Sequence, residues 1–243
     1  MILETKHGRF DLDQGLDLSI PVRRGENSVE AFYIPHARME PFCAGGFVGS
    51  VTEGGACNCE NIHFNAHGNG THTECVGHVS REAHYLLDSL HRHFFEAQIV
   101  SIAPIKQEDG DHLVLPHQIP NELPEALIIR TLPNSNEKKT KKYSGTNPVY
   151  LHPDTATKIR EAGVKHLLID QPSVDKEEDG GALAAHKNYW NYPTHPRLDA
   201  TITELIYVSE SIPDGFYLLN LMTPSMESDA VPSKPMIFAP IEE

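Results

Sequence analysis

The chain has 243 residues, with 20 Lys+Arg against 34 Asp+Glu for a formal charge of −14, and is 39% hydrophobic and 22% charged. That length and composition suit a globular unit with a sizeable core and exclude collagen, coiled coil and a disordered chain. The acidic balance argues against nucleic acid or an anionic membrane as the main partner, because both are held by clustered cations.

The first ten residues have no apolar stretch like a signal-peptide core, and no window approaches 18 uninterrupted apolar residues. The expectation is a soluble, cytoplasmic chain. Residues 10–22 alternate well enough for an early strand ending at Pro21. Residues 43–61, rich in Gly, Cys and Asn, read as turns between short strands. Cys43, Cys57, Cys59 and Cys75 are too few for a disulfide framework, and Cys57-Asn-Cys59 is too tight for a zinc knuckle. All four are expected to be reduced and mostly buried.

Residues 97–105 and 126–132 read as buried strands separated by a Pro- and acid-rich loop. The lysine run within residues 134–147 reads as a solvated insertion. Residues 154–162 suggest a short helix capped by Asp154 and ended by Gly163, leading into a strand at 164–170. Residues 175–181 read as an exposed acidic loop, and 200–208, 216–222 and 236–241 as further short strands. No period of 20 to 50 residues recurs. The expected fold is α/β, a single domain over residues 1–243, with a mixed sheet curling toward a barrel.

The unusual number is 15 His, more than solubility or packing requires, which points to metal chemistry. The densest cluster runs from His67 to His78 and contains Gly70-Thr71-His72-Thr73-Glu74. In an extended chain His72 and Glu74 project to one face, about 6.6 Å apart. Gly68 and Gly70 permit a turn that brings His67 to the same point. His78 shares that face but lies six residues on, about 20 Å away if extended, so the chain must bend near Gly77. Imidazole plus carboxylate suits zinc or manganese with open positions for water.

With His67 before it, Gly70-Thr71-His72-x-Glu74-x-Val76-x-His78 resembles the His-x-Gly-Thr-His-x-Asp-x-Pro-x-His signature of the cyclase family, which includes bacterial kynurenine formamidases and isatin hydrolases. Asp17-Leu-Ser-Ile-Pro21 is similar to the opening motif of that family, and Ile169-Asp170-Gln-Pro172-Ser173-Val-Asp175 to a later one. The resemblance implies a swivelling β/β/α architecture, one or two zinc or manganese ions, and usually a homodimer or larger oligomer. Carried over by position, it makes His67, His72 and Glu74 ligands of a first ion, with Glu74 able to reach a second. It makes His186 a ligand of the second ion, Glu204 a carboxylate near both ions, and His78 the proton donor and acceptor.

Three departures are visible: one extra residue between His67 and Gly-Thr-His, Glu74 for the usual Asp, and Val76 for the usual Pro. The aromatic platform that formamidases of the family place over the substrate ring has no Trp here before Trp190, so Phe32, Tyr33 or Phe42 would have to supply it, unless it is absent. The expected function is hydrolysis of an amide-type carbon–nitrogen bond in a small molecule, an aryl formamide or lactam, by metal-activated water. The same ligands also suit a non-heme metal oxygenase, or a non-catalytic protein that keeps metal for structure.

Overall fold

The structure is a computed structural model and describes residues 1–241. Its centre is a nine-stranded mixed sheet made of β1 (Leu16–Asp17), β2 (His72–Glu74), β3 (Phe94–Ile102), β4 (Ala126–Thr131), β5 (His166–Ile169), β6 (Thr201–Glu204), β7 (Gly215–Asn220), β8 (Ala230–Pro232) and β9 (Met236–Phe238). Their spatial order is β8-β2-β6-β5-β4-β3-β7-β9-β1. The four inner strands β3 to β6 run parallel, while β2, β7, β8 and β9 add antiparallel flanks. Three helices are described: α1 (Ala66–Asn69), α2 (Pro153–Glu161) and α3 (Ala184–Trp190). None is long and apolar enough to cross a membrane.

The inner strands are legible as apolar runs because both faces are covered. Leu127, Ile129, Leu167, Ile169 and Ile202 pack with Ala156 and Ile159 of α2 and with Ala185, Tyr189 and Trp190 of α3. Alternate residues Ala97, Ile99, Ala126, Ile128 and Leu168 turn to the opposite face, against Leu18, Leu219 and Ile237. Full burial of a side chain such as Ile128 is worth about 1.5–3 kcal/mol relative to leaving it in water.

Several local expectations change. The strand expected over residues 10–22 is split into Gly8–Asp11, a turn, β1, and an isolated bridge from Ser19 to Ile206. Helix α2 starts earlier than its acidic residue suggested: the ring Nδ1 of His152 accepts from the Asp154 N–H at 3.1 Å, and Pro153 takes the first helical position. Cys75 is buried, but Cys43, Cys57 and Cys59 are exposed on a ribbon whose legs are Arg38–Pro41 and Glu60–His63. The 134–147 segment is only partly solvated. Lys138 is buried with its ammonium 2.7 Å from Asp170, and Tyr143 is buried beside it in sequence.

His166 on β5 is 3% exposed, with Nδ1 2.9 Å from Thr201 Oγ1 and its ring 3.9 Å from that of Phe95. Burial, assisted by Arg92 and Lys165, pushes its pKa from 6.5 down to about 3. The unfolded chain therefore takes up a proton that the native fold refuses, and stability falls as pH drops below 6.5. Between pH 6.5 and about 5 the expected loss is about 2 kcal/mol. Urea midpoints measured across that range should show it, and His166→Gln should flatten the slope.

Candidate metal centre

The Gly-Thr-His segment is strapped to the N-terminal part of the chain before it enters the sheet. The Thr71 N–H donates to Ile20 O at 2.9 Å, and the Ile20 N–H donates to Thr71 Oγ1 at 2.7 Å. Gly70 allows that approach, since a Cβ there would lie 2.8 Å from Ile20 O. The extra residue after His67 is absorbed by α1, a single helical turn whose N-cap Asn65 accepts from the His67 N–H at 3.0 Å.

Strand β2 then lies between β8 and β6, in a register that sets His72 opposite Glu204. Period-2 alternation puts His72 and Glu74 on one face and Thr73 on the other, where Thr73 Oγ1 meets Thr203 Oγ1 at 2.8 Å. After Cys75 the chain bends in a turn at Val76–His78, as the spacing required, and His78 returns to Glu74. His186 enters from α3, held by Asp175, whose carboxylate is 2.6 Å from its Nδ1 and accepts from the Ala185 and His186 N–H groups.

The residues expected to bear ligands and the proton-transfer His78 all meet. His67 Nδ1 is 3.2 Å and His78 Nδ1 3.7 Å from Glu74 Oε2. His72 Nε2 is 3.3 Å from Glu204 Oε2. His186 Nε2 is 3.0 Å from Glu74 Oε1 and 3.5 Å from Glu204 Oε1. The grouping differs from the one expected. Two donor sets have ligand atoms within 4.8 Å of one another, His67–Glu74–His78 and His72–Glu74–Glu204, and both use Glu74.

Asp175, expected in an exposed acidic loop, is buried, whereas Glu177 and Asp179 beyond it border a cleft. Asp229 was not expected at all: it lies just before β8, with Oδ2 3.4 Å from both His67 Nε2 and His78 Nδ1. No local spacing marks it, because strand pairing across the sheet brings it there.

The donor set fits a divalent cation. Glu74 is fully buried, and its Oε2 together with His72 Nε2 has no hydrogen-bond partner, so two ligand-type atoms sit desolvated in the cluster. Burial alone would raise the pKa of Glu74, yet His78, His186 and His67 hold it well below the usual carboxylate range. Burial and Glu74 both push Glu204 up, and His186 and His72 bring it below its ordinary value. Burial lowers the pKa of His67, but Asp229 and Glu74 reverse this and carry it to about 10. At His186 the carboxylates of Asp175, Glu204 and Glu74 outweigh burial and hold its pKa well above the ordinary value. A pocket that retains protons this strongly has the negative potential a cation needs, and metal and protons compete for it.

The cluster forms the floor of a cleft of about 340 Å³ with Phe32, Ile34 and Leu183 among its apolar walls. Phe32 and Leu183 are both held at positive φ, 58° and 47°. Of the three aromatic candidates only Phe32 lines this cleft. Tyr33, next to it, is 67% exposed and turns its hydroxyl toward Gly145. Phe42 packs against Phe47 on the ribbon, ring centroids 6.1 Å apart.

A family model described as "Putative cyclase" matches residues 16–176. No curated protein matches the sequence. Among solved structures, a "potential metal-dependent hydrolase with cyclase activity" aligns at TM-score 0.65 and 13% identity, over 93% of this chain and 97% of its own. An isatin hydrolase bound to the product analogue thioisatinate aligns at 0.63 and 14%, over 94% and 93%. Isatin hydrolase A from Labrenzia aggregata, bound to benzyl benzoate, aligns at 0.64 and 13%, over 93% of both chains. At such identities the likeness establishes the fold.

Proposed function

The chain belongs to the cyclase family, and from that membership together with the shared-carboxylate cluster we propose that it is a metal-dependent hydrolase of an amide-type carbon–nitrogen bond in a small apolar substrate, an aryl formamide or lactam. The observation that carries this reading is Glu74, a fully buried carboxylate common to two donor groups beneath an apolar-walled cleft that also exposes His78. His67, His72, Glu74, His186 and Glu204 would hold one or two ions, zinc or manganese by the chemistry of mixed imidazole and carboxylate donors. When bound, such an ion supplies acidified water, with a pKa near 7 instead of 15.7, and positive charge for a developing oxyanion.

The protein's own groups do the rest. Phe32, Ile34 and Leu183 hold the apolar body of the substrate and exclude bulk water from the floor. Asp175 fixes the ring of His186 so that Nε2 faces the two glutamates. His78 borders the cleft, where it can take a proton from the attacking water and return it to the departing nitrogen.

The test is elemental analysis of protein purified without added metal, followed by a hydrolysis panel of aryl formamides, lactams and lactones. One or two transition-metal ions per chain and hydrolysis of the formamides or lactams are expected, with loss on chelation and no dependence on oxygen. His78→Gln should keep the metal and lose roughly 10²–10⁴ in kcat, the usual worth of acid–base catalysis. A metal-free protein whose activity survives chelation contradicts the reading.

A further inference from the structure

We propose that Asp229 is a positioning residue that fixes the protonation pattern of two imidazoles at once, making His67 a ligand through Nδ1 and His78 a base through Nε2. The inference rests on the hydrolase reading above and adds to it a residue outside the stretch matched by the family, residues 16–176.

The geometry is specific. The rings of His67 and His78 lie 4.4 Å apart, centroid to centroid, so one oxygen can serve both. That oxygen is Asp229 Oδ2, 3.4 Å from His67 Nε2 and 3.4 Å from His78 Nδ1. Its other oxygen, Oδ1, accepts from the Ser228 hydroxyl at 3.4 Å. The backbone is pinned as well, because the Cys75 N–H donates to Asp229 O at 3.0 Å and the next residue, Ala230, pairs with Glu74. Gly77 makes the approach possible: a Cβ there would lie 3.1 Å from Asp229 Cβ and collide with His84 O.

A neutral imidazole carries one proton, and the acceptor it meets on one nitrogen decides the role of the other. When a metal ion displaces one proton from His67, an Nε2–H directed to Asp229 leaves Nδ1, 3.2 Å from Glu74 Oε2, as the donor to the first set. With Nδ1–H of His78 directed to the same oxygen, Nε2 is left as its basic nitrogen. Glu74 also lies 3.7 Å from His78 Nδ1, but its oxygens are shared with His67 and His186 and are committed to both donor groups. Asp229 belongs to neither donor group, and its two ion-pair partners among the described residues are these histidines.

Position separates this role from substrate contact. Asp229 lines a second cavity of about 460 Å³, together with His63, Phe64 and Met226, and does not border the Phe32–Leu183 cleft. His67 lines both cavities and so stands as the wall between them. The carboxylate supports the imidazoles from behind.

The test compares zinc-loaded wild type with Asp229→Asn and Asp229→Glu. An asparagine oxygen keeps two lone pairs but loses the negative charge, so it holds the two ring N–H groups more weakly, and in the flipped rotamer its NH₂ opposes both. Ring ¹⁵N chemical shifts in the wild type should show His67 protonated at Nε2 and His78 at Nδ1. In Asp229→Asn at least one of these patterns should change. Zinc affinity should fall 10–100-fold, the usual loss when a group orienting a metal-bound imidazole is removed. On whichever panel substrate is cleaved, kcat should fall by at least about 10² while KM stays within about twofold. Asp229→Glu should recover part of kcat. Unchanged ring shifts, zinc affinity and kcat in Asp229→Asn would overturn the proposal, as would a raised KM at unchanged kcat. A wild type that cleaves nothing on the panel refutes the hydrolase reading instead, and the ring shifts still judge Asp229.

Discussion

Glu74→Gln is expected to remove divalent metal from both donor groups and to abolish hydrolysis. The substitution preserves shape and changes charge, so the effect isolates what the carboxylate does. Glu74 is fully buried and stands in both the His67–Glu74–His78 and His72–Glu74–Glu204 sets. Its loss removes a ligand from each and leaves an amide that binds hard cations weakly. Removing a group that merely orients a ligand already costs 10–100-fold in metal affinity, so losing a shared ligand should exceed 100-fold. Dialysis followed by elemental analysis should find almost no metal, with turnover at background. His78→Gln, by contrast, leaves the His72–Glu74–Glu204 group whole and should keep metal there, and this difference separates the proposed shared ligand from the proposed proton-transfer group.

Lys138→Met is expected to destabilise the fold by about 3–5 kcal/mol, because removing one partner leaves a buried charge uncompensated. The ammonium of Lys138 is 2.7 Å from Asp170 Oδ2, 2.6 Å from Thr131 O and 3.2 Å from Asn134 Oδ1. Asp170 is 1% exposed, and burial holds its pKa above the usual value even with Lys138 and Thr131 opposing. Without the lysine that pKa rises further. The native state then binds a proton more readily than the unfolded chain, and the deficit shrinks as pH falls toward the ordinary carboxylate range. Urea unfolding at pH 7 and at about pH 5 should show the larger deficit at the higher pH. Five residues beyond Asp170 the chain supplies Asp175 to His186, so the same substitution should loosen the candidate metal centre.

The environment of Lys138 explains what could be read from sequence and what could not. A run such as Glu-Lys-Lys-Thr-Lys-Lys looks solvated because nothing within it shows which ammonium finds a carboxylate, and Asp170 lies 32 residues away from Lys138. The inner strands β4 and β5 were legible because both faces are covered, leaving an apolar run with no alternation to interpret. The His67–His78 cluster was legible because its residues are neighbours in sequence and only a bend at Gly77 had to be inferred. His186 and Glu204 followed from the family resemblance, not from spacing. Asp229 had neither signal. Pairing of β8 with β2 brings it to the imidazoles, and that register is a property of the assembled sheet. Phe42, one of three aromatic candidates, is carried by the ribbon to pack with Phe47 and does not line the cleft.

The position of β2 has a consequence for when the proposed metal site becomes complete. This three-residue strand is paired with β6 on one side and β8 on the other, so its ligand face is completed by segments translated long after it. A nascent chain ending before Thr201 would hold His67, Glu74 and His78 of one donor group but would lack Glu204 of the other and the β8 flank. Completion of the His72–Glu74–Glu204 group therefore waits for β6. An ion that binds only the finished form adds about 2.7 kcal/mol to its stability at a free concentration of 100 Kd. Metal supply should accordingly govern how long the protein survives in the cell as well as how fast it turns over.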